Sequence, residues 1–417
     1  MGLVYWKKAG AIRVRALPDS VTIKFMLLAL ATIIISGARL IDGRGGPPVE
    51  DSVVVVEGDR IVAAGPRGTV RPPAGETVDA RGLTLLPGLI DAHFHLGSVR
   101  LPSMFLNNGV TSVRDPGAWN QSYDPVKKLN VPIPRLFLTG PHLDMAPAAY
   151  PDNSLLVNDP EEARAVVHRF VDEGATALKV YFRLPLASIR AVCEAAHQRN
   201  IPVTAHLEIV RADDAIEAGL DGIEHVTSVG TAIADIMEAE KFRQAVTANN
   251  SARNEGRYQL WSKIDLDSPR VGKLIDLMVR RGVFFSPNLA IFERRAGERG
   301  ATEMHAKACE NMRRFTGMAR KAGVRVVVGS HSNVPYAETG WAYQREMELM
   351  AESGMTPMEV IQGATLDNAK FFRADARLGS IEPGKLADLV LIEGDVLRDI
   401  GSMRKIRRVM LNGAWVR

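Results

Sequence analysis

Cysteine is nearly absent from this chain: Cys193 and Cys309 are the only two in 417 residues, each inside a helix-like stretch. So sparse a supply excludes a disulfide framework and reads as two inert buried thiols in a reducing compartment. A long apolar run is missing too. Met26 to Ile35, preceded by Lys7, Lys8, Arg13 and Arg15, has the outline of a signal peptide but falls well short of the ~20 residues a spanning helix needs. It also flows straight into Ser36 to Gly43, which reads as a first strand and turn, and cleavage at Ser36 to Ala38 would remove half of that strand. The expectation is a cytoplasmic protein with no membrane partner and a disordered N-terminal extension over residues 1–31. One-sided charge is equally scarce. A net charge of +4, a pI near 9.0 and no Lys/Arg run interleaved with aromatics set nucleic acid aside as a partner.

What the chain has is core. Apolar residues make up 46% and charged ones 24%, which fits a packed protein without extensive disorder, long enough for one large barrel or several ordinary domains. Over residues 32–85, short strand-like runs (Ile33 to Ile35, Val53 to Glu57, Arg60 to Ala64, Thr77 to Asp79) alternate with Gly, Pro and Asp turns, an all-β pattern. Residues 379–417 carry a matching set, Lys385 to Ile392, Ile406 to Leu411 and Ala414 to Val416, so the two ends are expected to form one small β-sandwich domain. Residues 86–378 alternate apolar strands with helical patterns, the signature of βα units around a parallel sheet. The strands are Leu85 to Ile90, Val110 to Arg114, Arg135 to Leu138, Ala177 to Tyr181, Pro202 to Ala205, Gly222 to Glu224, Val283 to Ser286 and Val324 to Gly329. Pro160 to Glu173, Leu186 to Asn200 and Val271 to Arg281 read as helices between them. The expected fold class is α/β, a (β/α)8 TIM-like barrel with a sandwich built from both chain ends. In such a barrel the residues at the strand C-terminal ends build the site.

Those ends are rich in histidine. His93 and His95 leave strand one on the same face, because side chains alternate along a strand. Two histidines alone fit a hydrogen-bonded strand end as well as a metal site. Strand five, however, ends in His206, strand six in His225 and strand eight in His331, so five of the nine histidines lie at strand exits. That clustering points to a divalent metal. Lys179 on strand four has the ordinary reading of a lysine that snorkels or pairs with a carboxylate. Among metal-ligating histidines it has to be neutral, and addition of carbon dioxide to the neutral amine gives a carbamate whose two oxygens can bridge two metals.

The His-x-His strand, the lysine of Gly174 to Tyr181, Ala205-His206 and Ile223-Glu224-His225 together resemble the metal-dependent amidohydrolase superfamily. So does Gly379 to Val390, which in such enzymes leads from barrel back to sheet. Within the superfamily the chain is most similar to the imidazolonepropionase-like and prolidase-like branch, in which a carboxylated lysine bridges two zinc ions. The resemblance implies one or two Zn2+ ions, His93 and His95 on one metal, His206 and His225 on the other, and Lys179 between them. One departure stands out. Where the family has Gly-Thr-Asp after strand eight, this chain reads Gly329-Ser330-His331, so a neutral imidazole replaces a carboxylate as ligand and proton acceptor. The acceptor role could instead pass to Glu346, in the helix Trp341 to Glu352, whose plain reading is a solvated helix face.

Other candidates share only a position at the barrel mouth. His142 follows strand three, Tyr181 could donate to a developing oxyanion, Arg183 could pair with a substrate carboxylate, and Asn288 follows strand seven. Asp115 reads as structural, and the charged stretch Glu238 to Arg270 is long enough to cover the site as a lid. The function expected is hydrolysis of a carbon-nitrogen bond (amide, dipeptide-like or cyclic amide) in a small-molecule substrate by a zinc-activated hydroxide. Lactone or phosphoester hydrolysis is the alternative, and His331 in place of Asp leaves a non-catalytic, ligand-binding descendant open. Homo-oligomerisation is left open as well.

Overall fold

The structure, a computed structural model, describes residues 32–96 and 103–417; the expected extension over residues 1–31 lies outside them. Thr32–Leu40, Val49–Glu57 and Arg60–Pro66 form an antiparallel meander. Leu83–Pro87 pairs with the first of these in parallel and with Leu389–Glu393 antiparallel, which brings the two chain ends into one sheet. Glu76–Asp79, Ile406–Leu411 and Ala414–Trp415 complete its eight strands. The expected sandwich is therefore a single sheet whose edge curls back on itself. Ile61 donates its amide to the Lys385 carbonyl at 2.9 Å, and Gly384 donates to Ile61 at 2.8 Å. Val53 to Val56 are all buried because both faces are covered, Val54 and Val56 packing with Leu389 and Leu391, and Val53 and Val55 with Ile34.

The apolar run expected as one strand, Leu85 to Ile90, is two. Leu83–Pro87 belongs to the sheet and Leu89–Asp91 opens the barrel, with Gly88 between them. A Cβ at position 88 would stand 2.2 Å from Thr111 Oγ1, so only glycine lets the chain pass from one unit to the other here.

Barrel strands follow as Val110–Asp115, Arg135–Leu138, Leu178–Val180, Val203–Ala205, Gly222–Glu224, Phe284–Ser286 and Arg325–Val326, all pairing in parallel. The third is broken at Thr139 to Pro141 and resumes as His142–Asp144, which pairs with Leu178–Val180. That continuation and the added strand Ser154–Leu156 were not foreseen. The ring closes through the backbone where strand eight meets strand one: Ala92 donates to Val328 at 2.9 Å, and His95 donates to His331 at 3.0 Å. The closure lies among the very residues that carry the histidines.

Helices pack outside. Pro160–Asp172 starts where Asp159 accepts the amides of Glu161 and Glu162, each at 2.9 Å, and it buries Ala163, Val166, Val167 and Phe170 at helical spacing. Pro269–Arg281 is bounded by Ser268 and by Gly282, whose φ of +64° ends it in the left-handed conformation. After strand six, the helices Ile236–Ala248 and Ala252–Lys263 form the insertion expected as a cover. No helix among the described residues is long and apolar enough to cross a membrane. Cys193 and Cys309 are both buried and free, and burial raises the Cys309 thiol to about 11.

Candidate metal centre

Five imidazoles converge at the strand exits. The His93 ring lies 5.0 Å from His95, 4.7 Å from His225 and 4.9 Å from His331, centre to centre, and His206 lies 4.5 Å from His225. One nitrogen each of His93, His95 and His331 falls within 4.8 Å of the others, close enough for one ion. The backbone turns sharply to achieve this. His225 and His331 sit at φ of +68° and +73°, left-handed conformations that side chains with a β-carbon seldom adopt, and Asn288 sits at +51°. Gly329 is the only residue type that fits beside them, since a Cβ there would lie 2.7 Å from Ser286 Oγ and 2.9 Å from His93 Cβ.

Three of the rings are held from behind. Glu224 takes His93 Nδ1 at 2.7 Å, and because a carboxylate only accepts, the proton sits on Nδ1 and the Nε2 lone pair faces the cluster. Asn288 does the same for His225: its amide nitrogen donates to the Gly329 carbonyl at 2.8 Å, so its oxygen accepts from Nδ1 at 3.0 Å. Glu224 is in turn ion-paired with Arg114, whose Nε donates to the Ala92 carbonyl at 2.6 Å and whose guanidinium lies over Phe371 at 4.6 Å. Burial opposes the charge on Glu224, but Arg114 and Lys179 outweigh it and hold the carboxyl below its usual range. His206 turns Nε2 to Glu208 at 2.9 Å and to Arg257 at 3.1 Å, which leaves Nδ1 for the interior. Asp91 ties strand one to strand eight by accepting the amides of His93 and Ser330, each at 3.0 Å, and burial raises it to about 7.

Burial, and then the surrounding positive groups, push His93, His206, His225 and His331 well below the ordinary histidine value, so the rings are neutral and able to ligate. Lys179 is buried at 1% exposure, and desolvation lowers it to about 8. Its charge is felt by all four rings and by His142. This donor set fits a divalent metal: neutral rings with their far nitrogens already occupied, and a buried amine among them with no carboxylate in ion-pair distance among the described residues.

His142 and Tyr181 stack beside the cluster at 4.4 Å and 18°, with Tyr181 4.7 Å from His206. Two expectations are corrected. Arg183 turns away to hold the insertion: its guanidinium bonds Asn250 Oδ1 at 2.7 Å and the carbonyls of Val246 and Thr247 at 2.8 and 3.0 Å. Those carbonyls close the helix Ile236–Ala248 and lack intrahelical partners, which a guanidinium supplies. Glu346 is neither a solvated residue nor a base facing the histidines. It is fully buried, and its two oxygens accept the amides of Leu289 and Ala290 at 2.8 and 2.7 Å. Asp115, read as structural, accepts from Leu96 N at 2.8 Å and from the Tyr123 hydroxyl, and its other oxygen stands 3.6 Å from His95 Nδ1. Glu224, Arg114, Asp91, Glu208 and Arg257 were missed, although a carboxylate directly before His225 and an Arg-Asp pair ending an apolar strand are unusual enough to have signalled the first two.

A parallel barrel with a histidine and lysine cluster at its strand exits is the architecture of a metal-centred hydrolase fold. Residues 84–416 match the Amidohydrolase family, and the chain belongs to it. Among curated relatives, N-acyl-D-aspartate deacylase of Alcaligenes xylosoxydans xylosoxydans is 41% identical over 117 residues, 27% of this chain and 22% of that protein. Adenine deaminase 4 of Rhizobium meliloti (strain 1021) is 23% identical over 397 residues, 92% of this chain and 56% of the relative. The chain thus spans between about a fifth and just over half of these relatives' lengths. A Xaa-Pro dipeptidase with bound methionine in its active site superposes with a TM-score of 0.70 at 23% identity, covering 92% of this chain and 99% of that one. Ochratoxinase of A. niger gives 0.71 at 20% identity, covering 93% and 96%. At such identities the likeness is one of fold.

Proposed function

We propose that the protein is a metal-dependent hydrolase that cleaves a carbon-nitrogen bond, of amide, dipeptide-like or cyclic-amide type, in a small-molecule substrate. The observation that carries this reading is the convergence of five imidazoles, four of them held neutral by burial, and one buried lysine at the exits of five barrel strands. His93 and His95 would hold one zinc ion, His206 and His225 a second, and Lys179 would bridge them as a carbamate. The bridge is supported by the low basicity of Lys179: near neutral pH about a tenth of the amine is unprotonated, the form that adds carbon dioxide and releases a proton. Zinc held there would lower the pKa of a water and polarise the scissile carbonyl.

The chain's own residues supply the rest. His331, grouped with His93 and His95, is neutral and takes the part of the absent strand-eight carboxylate, as ligand or proton acceptor. Glu346 does not share this part, because its oxygens are committed to backbone amides. His142 offers a donor beside the reacting carbonyl, and Tyr181, which keeps its proton because burial raises it, stacks on that ring and faces the substrate. A panel of amides, dipeptides and cyclic amides tests the reading. Turnover that is lost on chelation and restored by zinc is expected; hydrolysis confined to lactones or phosphoesters would replace the bond type, and none at all would favour a binding protein.

A further inference from the structure

The insertion after strand six delivers Arg253 to the barrel mouth, and its surroundings differ from those of every other guanidinium discussed above. Arg114 faces Glu224, Arg257 faces Glu208, and Arg183 faces backbone carbonyls. Arg253 is 7% exposed, yet among the described residues no carboxylate lies within ion-pair distance of it. Its hydrogen bonds go to two phenols, Tyr181 Oη at 3.0 Å and Tyr150 Oη at 3.1 Å. A buried cation without an anion is costly, and the phenols do not neutralise it.

The direction of these bonds matters. Arg253 only donates, so each phenol oxygen accepts from it and keeps its own O–H to point elsewhere. A guanidinium flanked by two outward O–H groups is a three-donor receptor for one anionic group. Its inner wall is Tyr181, stacked on His142 at 4.4 Å and 4.7 Å from His206, so the receptor adjoins the metal cluster. Its outer wall is Tyr150, 48% exposed, so the receptor opens to solvent.

We infer that Arg253, with Tyr150 and Tyr181, receives a carboxylate of the substrate and so sets specificity for N-acyl amino acids and dipeptides over neutral amides. This rests on the hydrolase reading above and takes over the role that sequence reasoning gave to Arg183. Placement on the insertion is what lets it choose: the barrel strands carry the cluster, and a separate helix carries the selector.

Isothermal titration of zinc-loaded protein with N-acetylglycine, N-acetylleucine, N-acetylmethionine and N-acetylphenylalanine, each against its C-terminal amide, tests the inference without needing turnover. Wild type should bind at least one acid about ten- to a hundredfold more tightly than its amide, and Arg253→Met should erase that ratio with metal content unchanged. Arg253→Lys should keep part of it. Should Arg253→Met fail to fold, the exposed Tyr150→Phe should still weaken acid binding about three- to tenfold and leave amide binding alone. Equal binding of acids and amides, no binding of any acid, or a ratio that survives both Arg253→Met and Tyr150→Phe overturns the inference. Hydrolysis of the same compounds is followed separately. Selective binding without cleavage counts against the hydrolase reading alone, and cleavage that ignores the carboxylate counts against the receptor alone.

Discussion

The two halves of the histidine cluster are held by different parts of the molecule. Behind His93 stand Glu224, Arg114 and the Phe371 ring, all buried and all fixed by barrel strands or by the helix that follows them. Behind His206 stand Glu208 and Arg257, and the arginine comes from the helix Ala252–Lys263 of the insertion. The first half is part of the fold's core, where a lost partner strands a charge in low dielectric. The second half is coupled to the two-helix insertion, which packs Val246 and Trp261 into the outer core and carries Arg257 at 12% side-chain exposure. The same two-helix insertion holds Arg253 beside Tyr150 and Tyr181.

Changes to the cluster itself should cross both halves and have the largest effect. Lys179→Ala should lose at least one equivalent of metal and essentially all activity, with short carboxylic acids restoring part of each; metal analysis and turnover read it. An unmodified Lys179 in a crystal structure with full metal occupancy would refute the bridge. His331→Ala should lower kcat by about 10²–10⁴-fold with little change in KM. Glu346→Gln, which leaves one of two buried amides without its acceptor, should instead cost about 1–3 kcal/mol of stability and spare kcat. The reverse pattern would hand the proton-acceptor role to Glu346.

The next pair separates the halves. Arg114→Met leaves Glu224 buried and unpaired, so urea unfolding should show a loss of about 3–5 kcal/mol. Arg257→Met strands the equally buried Glu208, but the guanidinium it removes is 12% exposed rather than 1%, so water can reach the gap; it should cost less, about 1–3 kcal/mol, while weakening metal binding about 10–100-fold, the usual cost of removing an orienting partner. Equal destabilisation by the two would erase the distinction between them.

Acid should act on the metal-stripped protein through the cluster. Five depressed histidines, His142 and the four of the cluster, contribute stability that is present above their ordinary value of 6.5 and is lost as pH falls below it, because the unfolded rings take protons that the buried rings refuse. Each ring contributes a slope of about 1.4 kcal/mol per pH unit. Raised carboxyls act oppositely: Asp91, Asp144 and Glu346, at about 7, about 6 and about 8, together with Glu208 and Asp388, contribute stability that is present at low pH and is lost as pH rises through their folded values. The two sets oppose each other, so the histidine share is read by difference: metal-free His331→Ala should lose less stability than metal-free wild type as pH falls from 6.5 toward 4.5. Equal losses in the two proteins would mean that the His331 ring is not held neutral in the fold.

How much of this was legible follows from the same physics. His93, His95, His206, His225 and His331 stood out because histidine is rare here and strand exits can be read from apolar runs ended by Gly, Pro or Asp. The direction of a side chain past the last strand residue cannot be read that way. Arg183 and Glu346 both lie near exits, yet one caps a helix and the other holds a turn. The orienting groups pair over long separations, Arg114 with Glu224 across 110 positions and Arg257 with Glu208 across 49, so only the closed barrel brings them together. Arg253 and Arg257, four apart on a polar helix, look like a solvated face until that helix is laid over the mouth. Gly88 hid a unit boundary because buried strands on both sides of it are equally apolar.

The central claim is that the two halves hold metal, and elemental analysis of protein purified from zinc-supplemented cells tests it most directly. The account predicts one to two equivalents of zinc per chain, with His93→Ala and His206→Ala each reducing the content. Metal-free wild-type protein that takes up no zinc on titration would contradict it.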